Sequence, residues 1–301
     1  MTQPVALEPV PATGAERFHR FGHGVPQDRP ASALTYVALL ITMALSAFPL
    51  YWAFVVGSST DEELAKIPPN VVPGDNLSSN VRAVFENENV RFVESMWNSV
   101  IVTFTVTASV LFFCSLAGFA FAKLKFKGRD PLFVALVLTM TVPTQLGSVA
   151  LYILMGKLGW NGHLQAVIVP GLVTAFGVFF MRQFIVDAIP DELVDAARVD
   201  GASNFRIYRS VVLPALRPGL GVLGLLTFVA TWNDFAWPLI TLGGTEHPTV
   251  QVALSNLASG NFVIYSHVLA GALLATIPLL VVFVVAGKQI VKGIMEGAVK
   301  S

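Results

Sequence analysis

The sequence predicts an all-α integral membrane protein with six transmembrane helices, and three observations carry that fold class. The 301-residue chain is 54% hydrophobic and 13% charged, with a mean hydropathy of +0.67. Soluble domains carry about 25% charged residues, so the composition belongs to the membrane class. Six charge-poor stretches reach the roughly 20 residues that a helix needs to cross hydrocarbon. Lys and Arg, finally, fall very unevenly among the segments between those stretches.

The elements follow in chain order. The first 29 residues hold four prolines, two glycines flanking His23 and few apolar side chains. Residues 1–30 therefore read as a disordered cytoplasmic leader and 31–301 as the transmembrane domain. A cleaved signal peptide does not fit, because the first apolar run is too long and starts too late. That run, Leu34–Val56, is the first span. An acidic outer loop, Gly57–Trp97, carries Pro68, Pro69 and Pro73. Its later half (Val81, Val84, Phe85, then Val93, Met96, Trp97) has partial helical periodicity. Two readings stand for it: a helix along the outer interface, open to an extracytoplasmic partner, or a solvated connector.

The second span, Asn98–Ala122, contains the single cysteine, Cys114. It has no partner for an intramolecular disulfide and reads as a small buried residue. A basic loop (Lys123, Lys125, Lys127, Arg129) leads to the third span, Leu132–Met155. There Pro143, Thr144, Gln145 and Gly147 either unwind to line a cavity or mark a proline kink in a packed helix. Leu164–Met181 is the fourth span, Gly219–Ile240 the fifth and His267–Gly287 the sixth.

Fifteen of the nineteen Lys and Arg residues lie in the leader, the second and fourth connectors and the tail; Lys66, Arg82, Arg91 and Lys157 lie on the other side. Basic residues favour the cytoplasmic face, so both termini are expected there. A formal net charge of zero argues against nucleic acid as the main partner. The five histidines are dispersed along the chain without ligand spacing, and no metal site is expected.

The longest charged passage, Asp191 to Gly219, lies on the cytoplasmic side between the fourth and fifth spans. Pro190 suits a helix start. Asp191 and Glu192 follow at the positive end of the helix dipole. Ala196 and Ala197 let another surface approach closely, and Gly201 permits a sharp reversal. Ser203 suits the N-cap of a second helix, on which Phe205, Tyr208 and Val212 share one apolar face. Leu213-Pro214 ends it. A loop resting on anionic headgroups explains the basic second arm (Arg206, Arg209, Arg217). It does not explain the acidic first arm (Asp191, Glu192, Asp195, Asp200), whereas a knob docking into a cytoplasmic protein explains both.

Those residues carry a resemblance. Asp195-Ala196-Ala197, Gly201 and Val211-Val212-Leu213-Pro214 resemble the "EAA" loop of ABC importer permeases: E-A-A, three residues, G, nine residues, I, one residue, L-P. Every spacing matches, with Asp195 in place of the glutamate and Val211 in place of the isoleucine. "MRQFIVDAIPDELVDAARVDGAS", "TWNDFAWPLI" and "VKGIMEGAVKS" are similar to the carbohydrate branch, in particular the maltose-type inner permeases, and the similarity runs from about Leu34 to the C-terminus. The resemblance implies a type I importer permease fold with a cytoplasmic coupling-helix loop. It implies as partners a sibling permease subunit, a cytoplasmic ATPase dimer, an extracytoplasmic solute-binding protein and the lipid bilayer. Asp195, Ala196, Ala197, Asp200, Gly201, Leu213 and Pro214 are then the ATPase-coupling residues, with Gly201 as the hinge. The chain shows no G-x-x-x-x-G-K-[ST] motif, so ATP and Mg belong to the partner ATPase.

Polar groups inside spans are costly and mark candidate pathways. Trp232, Asn233, Asp234 and Trp237, with Gln145, suit a sugar: rings stack on its apolar face while the amide and carboxylate take hydroxyls. An interfacial aromatic belt with Asp234 at the outer water boundary is the equal alternative. An ion-coupled secondary transporter of small polar solutes is the rival function. It needs embedded charges and an internal repeat, and only Asp234 meets the first requirement. A membrane enzyme needs clustered acid/base, nucleophile or metal groups, which the sequence does not show.

Overall fold

The computed structural model describes residues 32–68, 70–259 and 263–298, the side chains of 286 and 288–298 excepted. The expected leader, residues 1–30, lies outside the described residues. The chain divides into two units, Met1–Phe48 and Pro49–Ser301. Of the first unit, the described part is essentially one apolar stretch of helix, the start of α1 (Ala33–Ser58).

The second unit continues with α2 (Asp61–Leu64), α3 (Leu77–Glu86), α4 (Phe92–Lys123) and α5 (Arg129–Thr139). A 3-10 turn, Thr144–Gly147, leads into α6 (Ser148–Lys157), followed by α7 (Gln165–Gly171) and α8 (Ala175–Ala188). Next come α9 (Asp191–Val199), α10 (Asn204–Ile207), a π turn at Tyr208–Val212 and α11 (Leu213–Ala215). The chain closes with α12 (Arg217–Trp232), α13 (Ala236–Leu242), α14 (Val250–Leu257) and α15 (Tyr265–Ala298). No strand occurs among the described residues.

Four of these helical stretches are long and apolar enough to cross a membrane: Ala33–Ser58, Phe92–Lys123, Gln165–Ala188 and Tyr265–Val285. The total reaches six only when two bent pairs each count as one span. Two expected spans are thus corrected. The third is not a continuous helix, because α5 and the 144–157 segment meet at 89°. Pro143 has no N–H to offer a helix and restricts Val142 before it, so the chain breaks there rather than kinking. The fifth ends at Trp232 and resumes as α13 beyond the break at Asn233–Phe235.

The connector between the first two spans folds as well. α3 packs on α15 through its Val81 and Val84 face. The Asn80 amide donates to Gly57 O and Ser59 O, each at 2.9 Å. Of the periodic residues in that loop, Val81, Val84 and Met96 pack against protein, while Phe85, Val93 and Trp97 stay exposed.

The helix α4 organises the unit. Val102, Val106, Val110 and Cys114 recur every fourth residue and are buried, a stripe facing α7, α8 and α12. Small residues bring α4 and α8 close together, as in membrane bundles generally. A Cβ on Gly118 would stand 2.8 Å from Arg182 N, and one on Gly177 would stand 2.7 Å from Cys114 Sγ.

Candidate functional site

The passage from Asp191 folds as two arms joined at a sharp turn. Pro190 occupies the cap position of α9, with Asp191 and Glu192 in the first turn. The helix closes on a Schellman pattern: Gly201 N–H donates to Arg198 O at 2.9 Å and Ala202 N–H to Ala197 O at 3.0 Å. Gly201 sits at φ +77°, the left-handed region that glycine enters without steric cost. It is thus a defined cap as well as a point of reversal. Ser203 caps α10, its Oγ accepting from Arg206 N–H.

The knob has two faces. Inward, Val194, Ile207, Tyr208 and Val212 are buried in the same core as α4 and α8, and Ala197 packs against it. Outward, Val199 is 88% exposed and Phe205 65%, with Leu193, Ala196, Asp200 and Gly201 also exposed. The apolar face expected for Phe205, Tyr208 and Val212 is corrected at one position: Phe205 is exposed, its ring 6.4 Å from that of Tyr208, while Ile207 joins Tyr208 and Val212 in the core. The π turn at Tyr208–Val212 sets Ile207 and Val212, five residues apart, both on the inner side. Of the coupling candidates, Asp195 and Pro214 are exposed, Ala197 and Leu213 half-buried. Asp195 pairs with Arg198 at 2.8 Å.

Side chains that read in the sequence only as loop charges hold the knob in place. Lys123, in the last turn of α4, has a side chain only 5% exposed. Its ammonium donates to Ile189 O at 2.6 Å and to the Asp191 carboxylate. Lys123, by hydrogen bond and charge, holds the Asp191 carboxyl below its ordinary range. Arg198 donates to the Lys123 carbonyl at 2.8 Å. On the second arm, the Tyr208 and Ser115 hydroxyls meet at 2.7 Å in the core. The only signal for Lys123 was a cation at a helix C-terminus, which many surface lysines share.

The pathway candidates separate. Trp232 is 1% exposed, stacks on Phe228 at 5.9 Å and donates Nε1–H to Ala275 O at 3.1 Å. Its ring is packing between α12 and α15 and offers no open face. Trp237 is half-buried and donates to Ala166 O at 3.0 Å. Asn233 is exposed and returns to Val229 O at 2.9 Å, and Asp234 stands beside the N–H groups of Ala236 and Trp237 at the start of α13. Gln145 lies exposed in the other break, between α5 and α6. That α13 packs on α6 and α7 brings the two interrupted spans together. The structure also joins two histidines far apart in sequence, the rings of His163 and His247 lying 6.5 Å apart.

Apolar helices, two of the expected spans interrupted, and an outward helical knob define a multi-pass membrane protein. Residues 114–294 match the family of binding-protein-dependent transport system inner membrane components, and the chain belongs to that family. It is 34% identical over 266 residues to the lactose transport system permease protein LacG of Rhizobium radiobacter, covering 88% of this chain and 95% of that one. The arabinooligosaccharides transport system permease protein AraQ of Bacillus subtilis is 30% identical, covering 89% and 95%. The sn-glycerol-3-phosphate transport system permease protein UgpE of Brucella abortus is 28% identical, covering 90% and 98%. Among solved structures, a bacterial ABC transporter involved in the import of the acidic polysaccharide alginate superposes with a TM-score of 0.72 at 22% identity, over 85% of this chain and 94% of that one. That likeness establishes the fold. The chain is thus a permease subunit of an ATP-driven, binding-protein-dependent importer, one component of a multi-component system.

Proposed function

We propose that this permease forms, with a sibling permease, the membrane pathway for a sugar or oligosaccharide delivered by an extracytoplasmic solute-binding protein. The two relatives at 30% identity or more, named for lactose and for arabinooligosaccharides, support that cargo class. A phosphorylated polyol is the second reading, favoured by the relative named for sn-glycerol-3-phosphate. Residues 31–301 serve as the permease domain, with both termini in the cytoplasm, the side on which fifteen of nineteen basic residues fall.

Coupling to the cytoplasmic ATPase dimer, which holds ATP and Mg, runs through the 190–215 loop. The observation that carries this is the outward apolar face of the knob. Val199 and Phe205 stand exposed beside Ala196 and the Gly201 cap, while the opposite face is anchored in the core. Burying each such side chain in a partner is worth roughly 1.5–3 kcal/mol. Asp195, Ala196, Asp200 and Gly201 flank that face; Ala197, Leu213 and Pro214 support it from behind or beside. On the solute side, Asn233, Asp234 and Gln145 at the two breaks contact the passing solute, Trp237 flanks them, and Trp232 holds α12 to α15.

Val199→Asp with Phe205→Asp is expected to leave membrane insertion intact and to remove the ATPase subunit from the purified complex. Undiminished co-purification and uptake in that double variant would sink the docking assignment. Uptake of labelled lactose or an arabino-oligosaccharide, set against glycerol 3-phosphate, separates the two cargo readings.

A further inference from the structure

One unbroken helix, α4, runs between the knob and the 246–250 segment. It is the only candidate span among the described residues that contains neither a proline nor a break. α1 contains Pro49, the 165–188 stretch Pro170, α15 Pro278, the third span is bent by 89° after Thr139, and the fifth is broken at Asn233–Phe235. Helices kink at prolines and at breaks, so α4 is the stiffest element available. Its 32 residues extend about 48 Å.

Both ends of that rod are gripped by polar bonds to segments distant in sequence. At the cytoplasmic end, the Lys123 ammonium binds Ile189 O and Asp191, Arg198 binds the Lys123 carbonyl, and Ser115 binds Tyr208. At the outer end, Arg91 Nη1 donates to Glu246 O at 3.2 Å and Asn98 Nδ2 to Pro248 O at 3.0 Å. The Ser99 hydroxyl accepts from Val250 N–H at 2.8 Å. The 246–250 segment leads directly into α14. A displacement of the knob therefore reaches α4 through these bonds, beside its direct chain links to α8 and α12, and of the three only α4 delivers it through polar bonds to the 246–250 segment. Apolar contact alone lets helices slide; a buried ammonium bound to a carbonyl and a carboxylate does not slide without leaving a charge unpaired.

We propose that Lys123 is a positioning residue that locks the coupling knob to α4, and that α4 carries the knob's motion to the 246–250 segment at the outer face. This rests on the coupling role assigned to the 190–215 loop. The node acts through α4 and touches neither solute nor nucleotide.

The test uses the complete complex in lipid vesicles, with an environment-sensitive fluorophore on Glu246→Cys and with solute uptake measured per ATP hydrolysed. In the otherwise unaltered complex, ATP changes the fluorescence and drives uptake. Lys123→Met is expected to reduce both the ATP-dependent fluorescence change and the uptake per ATP at least fivefold, and Lys123→Arg to restore at least half of each. Asp191→Asn, at a side chain 79% exposed and with the hydrogen-bond acceptor kept, is expected to reduce both about twofold and decides the matter where Lys123→Met does not accumulate. An unchanged ratio in these variants overturns the proposal. So does a loss in Lys123→Met that Lys123→Arg fails to rescue, since that outcome makes Lys123 a space-filling residue. Absence of ATP-driven uptake in the unaltered complex overturns the coupling role itself, and this proposal with it.

Discussion

Asp191 is the residue whose chemistry most clearly distinguishes this knob from a loop lying on headgroups. Its carboxyl is held below the usual range chiefly by the hydrogen bond and charge of Lys123, with smaller help from Arg198 and Lys125. A depressed folded pKa means that the pairing is complete above the ordinary carboxylate pKa of about 3.9 and fades only as pH falls through the lower folded value. Hydrogen exchange of the Ala196–Gly201 amides is therefore expected to keep the same protection from pH 5 to pH 8. Asp191→Asn is expected to lower that protection across the whole range. A protection profile that falls between pH 8 and pH 5 would contradict the assignment. The sequence marked Asp191 as a helix-dipole residue, which it is, but gave no pointer to its partner 68 positions earlier. A pairing across that separation depends on how α4 and α9 meet, and local pattern carries none of it.

At the scale of elements, the signals that proved legible were local ones. Pro190, Gly201 and Ser203 start, cap and restart the two arms because each satisfies backbone groups within a few residues. The breaks near Pro143 and at Asn233–Phe235 were legible as composition and not as geometry. An apolar run of spanning length looks the same whether it is straight or bent by 89°. Phe205 keeps ring contact with Tyr208 yet stays exposed, because periodicity gives the face a residue shares and not how deeply it is covered by the elements packed on it. Gly201→Asp is a sharp probe of the cap. The site has open space for a Cβ, so the cost is backbone strain at φ +77°, about 1–2 kcal/mol confined to the knob. Membrane insertion is expected to persist while ATPase subunit retained on purification drops several-fold. Retention at the unaltered level would place the docking contact elsewhere.

For the molecule as a whole, composition and the charge asymmetry sufficed to predict a multi-pass membrane protein, and the spaced motif from Asp195 to Pro214 its family. The solute pathway stayed hidden, since Trp232 reads as a binding aromatic in sequence and is a core residue in space. Whether an aromatic faces a cavity or a neighbouring helix depends on α15, more than thirty residues downstream. Vesicles carrying the complex with a hydrolysis-deficient ATPase are expected to show no uptake, and uptake persisting there on an ion gradient would instead support a secondary transporter. Following such motions by spectroscopy requires reporters attached at chosen points. The one native thiol, Cys114, is buried between α4 and α8 with its Sγ 3.6 Å from Thr174 O, so maleimides in solution are excluded from it. The unaltered protein is in effect already a thiol-silent background, and a cysteine placed on the knob or the outer segment can be labelled without first rebuilding the core.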